Sequence, residues 1–69
     1  MLTAIILNWN TREIAEKSAK RLLKEVDKVI LVDNGSEERP NRINGVIHID
    51  NDQNEGNSIA RNQGLRQEY

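Results

Sequence analysis

The sequence predicts an α/β fold built on a parallel sheet, in the element order β-α-β-β-α. Three observations predict it. Two short runs, Leu2 to Leu7 and Val29 to Val32, are apolar at nearly every position instead of alternating, which suits strands buried on both faces. An amphipathic stretch lies between them, so strand, helix and strand fit within about thirty residues, the size of a βαβ unit. A polar, turn-forming segment follows each run, where strands of a parallel sheet end.

The first strand is Leu2 to Leu7, with Ile5 and Ile6 at its centre, and Asn8-Trp9-Asn10 breaks it. Asn10 is a good N-cap for a helix over Thr11 to Glu25, and Glu13 follows three residues later, as a capping box requires. Ala15, Ala19, Leu22 and Val26 fall at helical spacing and form its buried stripe, with Ile14 and Leu23 beside it. Glu13 with Lys17 and Glu16 with Lys20 pair along the solvent face, acid first. Lys28 to Asp33 is the second strand, joined to the first by a right-handed crossover and therefore parallel to it. Asn34 to Gly45 is a polar loop holding the single proline, Pro40. Val46 to Asp50 is a third strand entered by the Asn44-Gly45 turn, placed on the far side of the second to give the order 3-2-1. After the polar loop Asp50 to Gly56, Asn57 to Gln67 forms a second helix with a thin stripe of Ile59, Ala60 and Leu65. Gly64 inside that helix costs about 1 kcal/mol relative to alanine. An α/β sheet normally continues from a helix into another strand. The final helix is therefore expected as a crossover to a strand outside these 69 residues.

Composition narrows the function. A chain of 69 residues holds one domain at most, and the absence of Phe makes its core aliphatic. No cysteine is present, which excludes disulfides and thiolate metal sites and suits a cytoplasmic protein. The net charge is −1 with both signs interspersed, so no basic patch points to nucleic acid. The longest apolar runs fall far short of the ~20 residues of a membrane span, so no transmembrane segment is expected.

Ligands of open α/β sheets bind beyond the carboxyl ends of the strands. There the sequence places one aromatic ring, Trp9, one strand-end carboxylate, Asp33, and several amides. A ring can stack on a nucleobase, and a carboxylate can accept from a ring N–H. Read as structure alone, Asn10 is a cap, Asp33 a turn residue, Gly35 and Gly56 serve backbone turns, Arg61 is a solvated helix residue, Asp50 and Asp52 are solvated loop carboxylates, and His48 is partly buried.

Three segments, in order and spacing, resemble family 2 glycosyltransferases. Ile5-Ile6-Leu7-Asn8-Trp9-Asn10 is similar to their opening strand and aromatic-Asn turn. Ile30-Leu31-Val32-Asp33-Asn34-Gly35-Ser36 resembles their V-D-N-G-S element. Asn54-Glu55-Gly56 with Ala60-Arg61-Asn62-Gln63-Gly64-Leu65 resembles their N-x-G-x-x-x-A-x-N-x-G motif. The resemblance implies the Rossmann-like GT-A fold, of which this chain matches the N-terminal third. It implies an inverting enzyme that moves a sugar from a nucleotide-diphosphate donor, most commonly a UDP-sugar, to an acceptor hydroxyl. Asn8 and Trp9 would flank the base, Asp33 would hydrogen-bond it, Arg61 would lie near base or phosphates, and Asn10, Asn34 and Gly35 would belong to the same nucleotide-binding set. Glu38 stands where the family often has Asp. The family's metal-binding Asp-x-Asp and its catalytic base lie further along than this chain extends, so no catalytic or metal-binding residue is assigned. Asp50-Asn51-Asp52 precedes the last helix and is in the wrong place for that motif. The divalent metal, Mn or Mg, is expected in the full-length parent enzyme, and the 69 residues alone are expected to be inactive. A non-catalytic nucleotide-binding module and a structural fragment stabilised by self-association are the alternatives. The edge of strand 2–7 carries no charge and no proline, which leaves it open to pairing in a homo-oligomer.

Overall fold

The computed structural model describes residues 2–68. Its elements are β1 (Thr3–Asn8), α1 (Arg12–Leu22), β2 (Lys28–Asn34), β3 (Val46–Asn51) and α2 (Asn57–Glu68). All three strands are parallel and lie in the order β1-β2-β3, so β2 is central. These are the neighbours of the expected 3-2-1 order, read from the opposite edge.

Burial explains why the runs lack alternation. On β2, Val29 and Leu31 face one way and pack with Ala15 and Ala19 of α1, with Ile6, Leu22, Leu23 and Val26 around them. Ile30 and Val32 face the other way and pack with Ala60 of α2, bordered by Ile5, Leu7, Ile47 and Ile49. Every apolar residue of β2 is therefore excluded from water. One helix covers each face, an arrangement characteristic of α/β layers.

Four local expectations are corrected. Asn10 is not the N-cap: it adopts a left-handed conformation with φ of 58°, which Asn tolerates better than most residues, and the cap position passes to Thr11. The helix closes at Leu22 and not at Glu25, because the N–H groups of Lys24 and Glu25 bond three residues back, to Arg21 and Leu22, tightening the last turn. Ile14 is solvent-exposed beside that stripe, and Glu16 accepts a hydrogen bond from the Asn41 N–H at 2.8 Å. In α2 the stripe turns out differently: Ile59 and Leu65 are exposed, and the buried pair is Ala60 and Gly64, four residues apart.

Gly64 is there because the helix lies so close to β1. A Cβ at that position would stand 2.7 Å from Ile5 Cγ2. Small residues at 60 and 64 let α2 settle onto Ile5 and Ile30, so the helix gains contact area where it loses propensity.

His48, half-buried on β3, accepts the Ile43 N–H on Nε2 at 3.1 Å and fixes the polar loop before the strand. Burial, reinforced by the Arg42 charge, holds its pKa below the ordinary 6.5 against the opposing influence of Asp50. The neutral ring is thus the one the fold prefers. Among the described residues no helix is long and apolar enough to cross a membrane.

Two outcomes follow from this packing. Gly64→Ala should lower stability by about 1 kcal/mol, because overpacking outweighs the helical gain. In an Ile5→Ala background, where the clashing methyl is gone, the same change should stabilise by about 1 kcal/mol. Urea unfolding of the four proteins measures both, and equal effects in the two backgrounds would refute the close approach. The His48 contribution has a defined sign. A folded-state pKa below the unfolded value gives stability that is full above 6.5 and is lost as pH falls through the folded value. The urea midpoint should therefore drop on going from pH 7.5 to pH 5 by more in the wild type than in His48→Gln.

Candidate functional site

Parallel strands end together, and the ends of β1, β2 and β3 bring Asn8, Asp33 and Asp50 into register across the sheet. The segments leaving those ends build three linked polar clusters.

The first joins β1 to β2. Asn8 Nδ2 donates to Asp33 Oδ1 at 2.8 Å and also reaches Ser36 Oγ at 3.3 Å. The Asn8 amide oxygen accepts from both the N–H and the hydroxyl of Thr11, which starts α1. The Ser36 hydroxyl accepts the Asn10 N–H at 2.8 Å, and Asn10 Oδ1 accepts the Glu37 N–H at 3.1 Å. The Ser36 N–H closes the turn onto Asp33 Oδ2 at 3.3 Å. Asn8 and Asp33 are both wholly buried. Burial of so many polar atoms is tolerable because they satisfy one another.

The second cluster is built from amides. Asn34 Oδ1 accepts from Asn51 Nδ2 and from the Glu55 N–H, while Asn34 Nδ2 donates to Asn54 Oδ1. Asn51 and Gln63 exchange hydrogen bonds at 2.8 and 2.9 Å. Together they tie the ends of β2 and β3 to the following loop and to α2. Gly35 makes this possible. Its φ is +83°, and a Cβ would lie 2.5 Å from the backbone carbon of Gln53, so the two loops touch main chain to main chain.

The third centres on Arg39. Its Nε lies 3.5 Å from Asp33 Oδ2, its Nη1 3.8 Å from Asp50 Oδ2, and its Nη2 3.8 Å from Asp52 Oδ1. Nη2 also donates to the Asn51 carbonyl at 3.0 Å. Arg42 pairs with Asp50 as well.

The structure thus gathers Asn8, Asn10, Asp33, Asn34 and Gly35 at one edge. Trp9 stands between two members of the first cluster and is 56% exposed, leaving its indole accessible to a planar ligand. Arg61 is exposed on α2, and among the described residues no hydrogen bond or ion pair links it to these clusters. A concavity of about 480 Å³ opens at the start of α1, lined by Asn10, Thr11, Arg12, Glu13, Glu37 and Glu38 among others. It shares only Asn10 with the residues singled out from sequence, and its three carboxylates make it a poor seat for a diphosphate.

Sequence reasoning gave no site role to Thr11, Ser36, Arg39, Asn51, Asn54 or Gln63, although Ser36, Asn54 and Gln63 lie in the segments that carry the resemblance. Ser36 lay within a recognised element and was legible as a turn hydroxyl. Arg39 sits in a loop without periodicity, and amide pairings between distant segments leave no pattern in the chain. Comparison with protein-family models, with curated proteins and with solved structures gives no match.

Proposed function

We propose that this chain is the nucleotide-diphosphate-sugar-binding N-terminal segment of an inverting glycosyltransferase of the family 2 type, with the Rossmann-like GT-A fold. One observation carries the reading. The three segments that resemble the family converge at the carboxyl edge of a parallel sheet, where such folds bind ligands, with Asn8 and Asp33 joined at 2.8 Å. Trp9 stacks on the base of a UDP-sugar, Asp33 accepts its ring N–H, Asn8, Asn10, Asn34 and Gly35 shape the pocket floor, and Arg61 serves the base or phosphates. The enzyme moves the sugar to an acceptor hydroxyl, and none of the residues named here carries that step. Asp50 and Asp52, the carboxylates at the end of β3, are engaged by Arg39 and Arg42 and do not fit a divalent cation.

A second reading, a structural fragment stabilised by self-association, is favoured by the complete burial of Asp33, whose carboxylate is satisfied internally. Titration with UDP separates the two. Amide resonances of residues 8–10 and 33–36 should move and Trp9 fluorescence should change at millimolar nucleotide. Trp9→Ala should weaken binding by about 5- to 150-fold, the worth of one base–aromatic stack. Resonances that stay fixed would leave the structural reading.

Self-association also has a place in the sheet. The outer edge of β1 has no strand partner among the described residues, and Leu2 to Leu7 hold neither charge nor proline. Two copies pairing β1 across a two-fold axis would make one continuous sheet. Sedimentation equilibrium should show a dimer that Leu2→Lys, at an exposed position, converts to monomer. A wild-type monomer at hundreds of micromolar would exclude it.

A further inference from the structure

The carboxylate that the proposed base site needs is already occupied. Asp33 Oδ1 is taken by Asn8, and Oδ2 faces the Ser36 N–H and Arg39 Nε. Asn8 and Ser36 are buried, whereas the Arg39 side chain is 42% exposed. Arg39 is therefore the one partner of Asp33 that can leave without unpacking the fold. The next residue, Pro40, is buried, so the loop backbone is anchored and the movement belongs to the side chain. The guanidinium has somewhere to go: Asp50, the fully exposed Asp52 and the Asn51 carbonyl already touch its other nitrogens. Releasing Asp33 lets the guanidinium keep its accessible contacts to Asp50 and Asp52, but it strips the buried carboxylate of its charged partner unless another donor takes the place.

We propose that Arg39 is an internal competitor for the ligand, pairing its charge with Asp33 until a ligand bearing an imide-type N–H displaces it. The inference rests on the nucleotide-binding reading and adds selectivity to it. A neutral ring that donates at this point, such as uracil, leaves the buried carboxylate with a replacement donor. A ring without that donor leaves the carboxylate uncompensated if Arg39 departs, and leaving a buried acceptor unsatisfied is costly. Arg39 thus makes the site reject bases by the absence of one hydrogen.

The test uses the full chain, with uridine and N3-methyluridine as probes. In the wild type, uridine should shift the Arg39 Nε–H resonance and speed its exchange with water, and N3-methyluridine should do neither. In Arg39→Gln, uridine affinity should rise roughly tenfold, because the buried carboxylate then lacks its charged partner until the ligand supplies a donor, while N3-methyluridine binding stays unchanged. Uridine shifting residues 8–10 and 33–36 while Arg39 Nε–H stays fixed would overturn the competitor role and spare the binding site. Unchanged or weaker uridine binding in a folded Arg39→Gln would do the same. No uridine response in either protein would overturn the nucleotide reading together with it. If Arg39→Gln does not fold, the wild-type Nε–H resonance decides alone.

Discussion

The structure depends on the need to cover β2 on both faces. Val29, Ile30, Leu31 and Val32 are four consecutive apolar residues that all reach full burial. A strand can do this only between two strands and two layers. That requirement places β1 and β3 on either side, α1 above and α2 below. It also makes each layer thin: the covering helices meet the sheet through Ala15, Ala19, Ala60 and Gly64, small residues that bring backbone close to strand. Close approach substitutes for bulk in a chain that has no phenylalanine.

The same parallel arrangement creates the polar edge. Three strands that end together deliver three loops to one place, and the polar groups there must satisfy one another because Asn8, Asp33, Asn34, Ser36 and Asn51 are buried. Asp33 is the centre of that accounting, with Asn8, Ser36 and Arg39 converging on it. The network ties Asn8, Asn10 and Thr11, the residues on either side of Trp9 and at the start of α1, to the turn after β2. The result is a buried network at the centre of the edge with the exposed Trp9 at its rim.

What was legible in the sequence follows this division. Unbroken apolar runs identified β1 and β2 because burial on both faces has a direct compositional signature. Helical spacing identified α1 through Ala15 and Ala19. The same rule misjudged Ile14, Ile59 and Leu65, because periodicity counts apolar residues and cannot see how closely a helix lies on the sheet, as α2 does at Gly64. Asn8, Asp33 and Gly35 were legible as strand-end residues. The loss of Asn10 as a cap was not, because its left-handed backbone goes with two distant bonds, its N–H donating to Ser36 Oγ and its Oδ1 accepting the Glu37 N–H. Arg39 was invisible for the same reason: its meaning comes from Asp33, Asp50 and Asp52, which only the folded sheet brings together.

The all-parallel ladder also dictates how the chain must acquire its shape. Thr3 pairs with Lys28, and Val29 pairs with Val46, so each ladder joins segments separated by a helix or a long loop. No hairpin is available to form early and template the rest. Loop closure must come first, at an entropic cost that local contacts do not offset, and such topologies fold slowly for their size. During that interval the most apolar segment of the molecule waits uncovered. The feature that makes β2 the best-protected strand of the finished protein makes it the most vulnerable one on the ribosome.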